Sequence, residues 1–121
     1  MNQPFLSIVV PAYNEESRIG SCIDRLRQAL PALVPSWEIV VADDGSGDRT
    51  RELVAAAAAE DGRVRLLELP HRGKGEAVRH GLLEARGEWR YIADADLATP
   101  PDNLSRFLAY TKDADTALVI G

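Results

Sequence analysis

Short apolar runs alternate with longer amphipathic segments along the whole chain, and this alternation limits the fold more than any other feature of the sequence. The apolar runs have the length of β-strands, and apolar residues in the intervening segments recur with helical spacing. Alternating strands and helices form right-handed βαβ units on a mostly parallel sheet, and continuous apolar strands indicate helices on both faces. The predicted strands are residues 5–11, 37–44, 64–70, 88–96 and 115–121, and the predicted helices are residues 16–30, 47–61, 73–87 and 100–113.

The predicted architecture is a Rossmann-like three-layer α/β/α fold with a mostly parallel sheet. A chain of 121 residues and 13.2 kDa has the size of one domain, residues 1–121. We expect the first strand at the centre of the sheet, because the loop after it must reach the loops after the second and fourth strands. Residues 115–121 read as a buried strand with nothing to follow it, so we expect the chain to be the N-terminal fragment of a longer protein.

The charge balance and the single cysteine restrict the classes of function. A net charge of −5 argues against a nucleic-acid-binding surface, which would need a basic face. Cys22 has no partner for an internal disulfide, so we expect a cytoplasmic protein in which Cys22 is a small core residue. The N-terminal residues lack the pattern of a signal peptide, and the longest apolar run, residues 53–59, is too short to span a bilayer.

Polar side chains follow the first four predicted strands. Ligands of open parallel sheets bind beyond the carboxyl ends of the strands, so these four loops should share one edge of the sheet. Their convergence predicts a ligand site at that edge. The polar residues concerned are Tyr13, Asn14, Glu15 and Glu16, then Asp43, Asp44 and Ser46, then His71, Arg72 and Lys74, and finally Asp94 and Asp96.

Asp94 and Asp96 are the strongest candidates for chemistry. Residues i and i+2 of a strand share one face, so both carboxylates should point the same way if the strand runs through them. Two adjacent carboxylates repel each other, and we expect them to have little to pair with when no ligand is bound. Because Mg²⁺ and Mn²⁺ prefer oxygen ligands and Mg²⁺ often takes only one or two carboxylates plus substrate phosphates, the pair predicts a metal–diphosphate site.

Several of the other candidates have an equally simple structural explanation. Asp43 and Asp44 suit a turn, although the neighbouring polar loops favour a binding role for Asp44. Asp48 is predicted to be the N-cap of the helix over residues 47–61. Glu15 suits a helix N-terminus, and Tyr13 suits either packing at the sheet edge or stacking on a nucleobase.

Glycines on both sides of Lys74 would let the backbone and the ammonium approach a phosphate at a helix start. The spacing is not that of a P-loop, and a solvated lysine is the alternative. His71 and His80 are predicted to be ordinary surface or helix residues.

Four ordered motifs resemble those of family 2 glycosyltransferases with the GT-A fold. They read SIVVPAYNEE, EIVVADDGSGDRT, RGKGEAVRHG and DADLATPPDNL, and together they cover nearly all of the chain. Within that family the last two are similar to the dolichyl-phosphate glucose synthase branch and to polyprenyl-phosphate glycosyltransferases. Ala98 differs from the residue expected in either the mannosyl or the glucosyl branch. Mannosyl-phosphate synthases usually carry Gln at this position, and the glucosyl branch often carries Ser.

The resemblance implies an inverting transfer of a sugar, glucose on the branch similarity, from a UDP-sugar or GDP-sugar to a polyprenyl or dolichyl phosphate, with Mg²⁺ or Mn²⁺ as cofactor. It also implies that any general base lies downstream of Gly121, so no catalytic residue is predicted within this chain. The roles implied are a nucleobase and ribose pocket at Pro11, Ala12, Tyr13 and Glu15, a base or ribose contact at Asp44 with Asp43 beside it, a diphosphate contact at Lys74, a metal or ribose contact at Asp94, and a metal ligand at Asp96.

Two other functions stay open at this point. One is a nucleotide-binding module without activity of its own, and the other is a nucleotidyltransferase that makes sugar nucleotides. The acidic loop after the first strand disfavours the second, because such enzymes carry a Gly-rich basic segment there. A fragment with an exposed sheet edge is expected to form a homodimer, and the full-length protein is expected at the cytoplasmic face of a membrane.

Overall fold

The computed structural model describes residues 3–96 and 101–111, with four strands and four helices. They alternate along the chain, as the sequence predicts. In chain order the elements are β1 (Leu6–Ala12), α1 (Ile19–Leu33), β2 (Trp37–Asp43), α2 (Thr50–Glu60), β3 (Val64–Glu68), α3 (Lys74–Glu84), β4 (Trp89–Ile92) and α4 (Pro101–Thr111).

The described strands form one parallel sheet in the order β3-β2-β1-β4. The prediction that the first strand lies centrally is confirmed, since β1 pairs with both β2 and β4. Ile8 is level with Ile39 on one side and with Tyr91 on the other. This order places the loops after β1, β2 and β4 side by side at the carboxyl edge. The predicted fifth strand, residues 115–121, lies outside the described residues.

One face of the sheet carries the main hydrophobic core. Alternate residues of β1 and β2, among them Ile8, Val10, Ile39 and Val41, are fully buried there. Apolar residues of α1, α2 and α4 pack against this face. From these helices the core receives Ile19, Cys22, Ile23, Leu26, Leu30, Val54, Leu104 and Phe107.

The opposite face is covered by α3. A Cβ at Gly81 would collide with Val9 Cγ1 and lie 3.5 Å from Ala42 Cβ, so this helix lies directly on β1 and β2. Glycine permits that close approach because it has no side chain. With α1, α2 and α4 on one face and α3 on the other, the predicted three-layer α/β/α fold is confirmed.

Several predicted boundaries differ from the structure by a few residues, and three of these differences have a clear physical reason. Helix α1 continues through Pro31 to Leu33, because only the Pro31 N–H is lost and the Val34 N–H still bonds to Leu30 O at 3.0 Å. Helix α2 begins at Thr50 with Arg49 as its N-cap, so the prediction for Asp48 is wrong. Asp48 lies two positions before the first helical residue, and its Oδ1 accepts the Thr50 N–H at 2.9 Å.

The third difference concerns the fourth strand, which ends at Ile92 rather than at residue 96. The Ala93 N–H still donates to Val9 O at 2.9 Å, and the following residues leave the sheet. Asp94 and Asp96 therefore lie on a segment beyond the strand, where the alternation of faces no longer fixes their directions.

Cys22 is a core residue, as predicted, and is 1% exposed. Burial raises the pKa of its thiol to about 12, which keeps it protonated and unreactive at neutral pH. Within residues 3–96 and 101–111, no helix has the length and apolar character needed to cross a membrane.

Candidate functional site

A cleft of about 440 Å³ opens at the carboxyl edge of the sheet, where the sequence places its ligand site. All the predicted site residues except Asp43 line it. These are Pro11, Ala12, Tyr13, Glu15, Asp44, Lys74, Asp94 and Asp96. Four further residues, to which the sequence assigned no ligand contact, complete the cleft, namely His71, Gly73, Ala77 and Ala95.

Asp43 lies beside the cleft but does not line it. Its carboxylate is fully buried and accepts the Gly45 N–H at 3.1 Å and the Ser46 N–H at 2.9 Å. Arg51 of α2 donates to the same carboxylate at 2.6 Å. Asp43 therefore holds the turn after β2 and joins it to α2. A direct contact between Asp43 and a nucleotide stays a prediction, and these contacts do not support it.

The loops after β1 and β2 are tied to each other. Asn14 has a left-handed backbone, with φ of 51°, and its Oδ1 accepts the Gly47 N–H at 2.8 Å. The Asn14 N–H donates in return to Ser46 Oγ at 2.9 Å, and the Glu15 N–H donates to Thr50 Oγ1 at 2.8 Å. These bonds hold the loop that contains Tyr13 and Glu15 in a defined position at the cleft.

Asp44 is buried at the base of the cleft and holds the loop before α3. Its Oδ1 accepts the Arg72 N–H at 2.8 Å and the Gly73 N–H at 3.1 Å. Its Oδ2 lies 3.0 Å from His71 Nδ1. Burial alone would raise the pKa of Asp44, but the two amides and the His71 ring outweigh it, and the pKa lies below its ordinary value. Asp44 is therefore a carboxylate at neutral pH.

The His71 ring stacks on Tyr13, with ring centroids 4.3 Å apart and an angle of 20° between the planes. The close packing beneath it depends on Gly45, which has φ of 80° and whose Cβ, if present, would lie 2.7 Å from the His71 N. The sequence-based interpretation of His71 as an ordinary surface residue missed this contact. The only feature of the sequence that could have indicated a role for His71 is that it lies in the same loop as Lys74.

Lys74 and Asp94 form an ion pair across the cleft, with Lys74 Nζ 2.8 Å from Asp94 Oδ1. The expectation that Asp94 has little to pair with is wrong, because Lys74 at the start of α3 reaches the segment after β4. Both side chains are largely exposed, so water screens the pair and its net contribution to stability is small. A ligand with its own negative charge can compete for the Lys74 ammonium.

The family model for glycosyl transferase family 2 matches residues 7–121 of the chain. The chain belongs to glycosyl transferase family 2. The resemblance seen in the motifs is thereby confirmed, and the match includes the whole cleft.

The relatives that match this chain include two enzymes whose names refer to a polyprenyl phosphate. Dolichyl-phosphate beta-glucosyltransferase ALG5A of Trichomonas vaginalis is 39% identical over 97% of this chain and 39% of its own length. Undecaprenyl-phosphate 4-deoxy-4-formamido-L-arabinose transferase of Pseudomonas paraeruginosa is 37% identical over 85% of this chain and 31% of its own. The chain thus spans between about a third and two fifths of these relatives.

The predicted GT-A fold is also confirmed by similarity to solved glycosyltransferase structures. A mannosyltransferase from Pyrobaculum calidifontis, crystallised with GDP-Man and Mn²⁺, superposes with a TM-score of 0.69 and is 32% identical. The superposition covers 87% of this chain and 31% of the mannosyltransferase.

The donor set of this family 2 cleft fits a divalent cation only when other ligands complete the coordination. Among the residues that the structure describes, no three or more His, Cys, Asp or Glu side chains are arranged as a metal site. Asp94 and Asp96 bring carboxylate oxygens to one cleft. Mg²⁺ and Mn²⁺ accept such oxygens, and Mg²⁺ usually takes few from the protein and the rest from phosphate and water.

Proposed function

We propose that this chain is the donor-binding part of an enzyme that transfers a sugar from a nucleoside diphosphate to a polyprenyl phosphate. The observation that carries the proposal is the meeting of an aromatic pair, a lysine and two aspartates in one cleft of about 440 Å³. A flat apolar surface suits a nucleobase, and the lysine suits a diphosphate. Family membership supports the same reaction, and enzymes of this family invert the anomeric carbon.

The chemistry of the cleft suggests how it would hold a donor. Tyr13, with Pro11 and Ala12 beside it, would contact the nucleobase, and Glu15 would contact the ribose. Lys74 would leave Asp94 for the diphosphate, whose charge is larger than that of one carboxylate.

Asp96 and the released Asp94 would then hold a Mg²⁺ or Mn²⁺ ion beside the diphosphate. Such an ion, when bound, stabilises negative charge on the leaving diphosphate. The oxygen donors in this cleft and the Mn²⁺ in the Pyrobaculum structure support this assignment.

The acceptor that we propose is a lipid phosphate, because both named relatives act on polyprenyl phosphates. A phosphate is already ionised near neutral pH, so its attack on the sugar needs no general base. We propose glucose as the transferred sugar on the similarity to the Trichomonas enzyme, and the Pseudomonas name shows that the sugar varies among relatives. A lipid acceptor also supports a place at the cytoplasmic face of a membrane for the full-length protein.

A nucleotide-binding module without activity is the alternative, favoured by the 39% of the Trichomonas relative that the chain spans. Incubation with radiolabelled UDP-glucose, polyprenyl phosphate and Mg²⁺ separates the two functions, because only the enzyme yields labelled lipid. Homodimer formation stays a prediction.

Metal-dependent donor binding is the direct test. We expect calorimetry to show UDP binding at least tenfold tighter with Mn²⁺ than with a chelator, since the ion would join the diphosphate to Asp96. Asp96→Asn should abolish that difference and leave the unfolding transition unchanged.

The matched control is Asp24→Asn, which makes the same charge change on the exposed surface of α1. This variant should keep the full effect of Mn²⁺. Equal UDP affinity with and without Mn²⁺ in the wild-type chain would contradict the metal assignment. UDP that fails to bind under either condition would contradict the donor site.

A further inference from the structure

The hydrogen bonds of Asp44 leave its carboxylate little capacity for a ligand. An ionised carboxylate offers about four lone-pair directions. Oδ1 accepts from the Arg72 and Gly73 amides, while Oδ2 lies 3.1 Å from the Gly73 N and 3.0 Å from His71 Nδ1. A direct contact with the nucleotide would have to displace one of these buried bonds. The loop that Asp44 holds is therefore better placed to meet the donor than Asp44 itself.

The contacts of His71 settle which of its ring nitrogens carries a proton. Nδ1 lies 3.0 Å from Asp44 O and 3.0 Å from Asp44 Oδ2, and both of these oxygens are acceptors. Nδ1 must therefore carry hydrogen and donate. Nε2 makes no hydrogen bond within the part of the chain that the structure describes. The ring is thus fixed from one side only, and 58% of the side chain stays exposed.

His71 connects the two ends of the cleft. Its ring stacks on Tyr13 at the end that the proposed function gives to the nucleobase. Its bond to Asp44 belongs to the set that fixes residues 71–73, and the next residue is Lys74, which the proposed function gives to the diphosphate. The His71 side chain thus contacts both the Tyr13 ring and the Asp44 carboxylate.

We propose that His71 is a donor-binding residue with two separable functions: with Tyr13 it forms the stacking surface for the nucleobase of a nucleoside diphosphate, and through Asp44 it positions Lys74 for the diphosphate. This inference rests on the proposed donor site and assigns His71 its roles within that site. The two functions use different parts of the side chain, the face of the ring and the Nδ1–H.

Two substitutions divide these functions. His71→Asn keeps an N–H donor close to the position of Nδ1 but removes the ring. His71→Phe keeps a ring that can stack on Tyr13 but removes the donor to Asp44. His80→Asn is the matched control, because His80 lies on α3, pairs with Glu76 at 3.5 Å and does not line the cleft.

Calorimetry with Mg²⁺ present measures the affinities of UDP and of inorganic pyrophosphate for the wild-type chain and the three variants. Pyrophosphate is also measured by competition against UDP. His71→Asn should weaken UDP about tenfold and change pyrophosphate by less than twofold, since stacking of a base on an aromatic ring is worth roughly one to two powers of ten in affinity. His71→Phe should weaken both ligands by about the same factor, roughly fivefold. His80→Asn should change neither.

The ratio of the two affinities is decisive, because a purely structural role for His71 would move both ligands together in every variant. Equal weakening of UDP and pyrophosphate by His71→Asn would overturn the stacking function. An unchanged pyrophosphate affinity in His71→Phe, or pyrophosphate that fails to compete with UDP, would overturn the positioning function. If UDP does not bind the wild-type chain at all, the proposed donor site fails and this inference fails with it.

Discussion

Two buried carboxylates at opposite ends of β2 hold the two ends of α3. Glu38, near the start of the strand, accepts the Arg86 N–H just after the helix at 2.7 Å. Asp44, just past the end of the strand, accepts the Arg72 and Gly73 amides just before the helix. Both side chains are less than a tenth exposed, and hydrogen bonds lower the pKa of each despite burial.

The two ends differ in the remaining partners of the carboxylates. Glu38 also receives the Ser7 hydroxyl at 2.6 Å and Arg65 Nε at 3.0 Å, and the Gly87 N–H donates to Ser7 Oγ. The hydroxyl, guanidinium and amide groups of this network thus bond to one another or to Glu38, and they belong to different segments of the protein. Asp44 instead has His71, an exposed ring that lines the cleft.

Cavity size does not separate the two ends. The groove at the amino edge has a volume of about 670 Å³, larger than the 440 Å³ of the cleft. Its charged lining is mostly arginine, and Arg63 there is already paired with Asp61. The comparison teaches that the chemistry of the lining, rather than the volume, identifies the site.

The largest effects on stability are expected when either of the two buried carboxylates, Glu38 or Asp44, is removed. Glu38→Ala should lower the free energy of unfolding by about 3 kcal/mol, because it leaves Arg65, Ser7 and the Arg86 amide without their buried acceptor. Asp44→Ala should cost about 2 kcal/mol, since its lost partners are two amides and an exposed ring.

Urea unfolding measures both costs, and UDP calorimetry completes the comparison. Asp44→Ala should weaken UDP and Glu38→Ala should not, because Asp44, unlike Glu38, accepts the amides of the loop before Lys74. Glu38→Gln, which keeps the shape and an acceptor oxygen, is the control and should recover part of the stability. Equal loss of UDP binding in the Glu38 and Asp44 variants would remove the functional distinction.

The next effect is the response to acid. The folded-state pKa values of Glu38 and Asp44 are lowered, so each carboxylate contributes stability that is present above its unfolded pKa and is lost as pH falls through its folded pKa. For Glu38 the loss should therefore begin near pH 4.5, the ordinary value, and continue below it.

Urea unfolding of the wild-type chain, Glu38→Gln and Asp44→Asn between pH 7 and pH 3 measures this contribution. Each variant should show a shallower loss of stability than the wild-type chain, because one linked group is gone. Curves that run parallel to the wild type would show that neither carboxylate contributes to the acid response.

The smallest effect on stability is expected at the exposed ion pair of the cleft. Lys74→Ala should change the free energy of unfolding by no more than about 0.5 kcal/mol, because the pair with Asp94 is screened by water. It should nevertheless weaken pyrophosphate by about tenfold, since the ammonium is the proposed diphosphate contact.

Arg49→Ala is the control for Lys74→Ala, because Arg49 is as exposed as Lys74 and pairs with Glu52 of α2, outside the cleft. It should have the same small effect on unfolding and none on pyrophosphate. A loss of several kcal/mol in Lys74→Ala would show that the lysine is structural.

The fold and most of the cleft were predictable because they follow from local patterns. Apolar runs and helical spacing located the elements, and parallel pairing brought Tyr13, Asp44, Lys74 and Asp94 to one edge. The Lys74–Asp94 pair was not predictable, since 20 residues separate its members and nothing local indicates the contact. The stacking of His71 on Tyr13 likewise depends on how two loops meet.

Other differences arose where several structures satisfy the same local pattern. Asp43 and Asp44 are adjacent and chemically alike, yet the turn after β2 directs one carboxylate to Arg51 and the other to the loop before α3. The helix predicted over residues 16–30 was expected to end before Pro31, but the final turn tolerates one missing N–H.

The contact of Gly81 with Val9 gives α3 a mechanical role. The helix is about 16 Å long, is fastened at both ends to the same strand and rests on the sheet without an intervening side chain. A helix held in this way moves as one body, so a change that lifts it from the sheet also displaces Lys74. Even one methyl group added at position 81 would act as a wedge and change the reach of Lys74 toward Asp94 from a point outside the cleft.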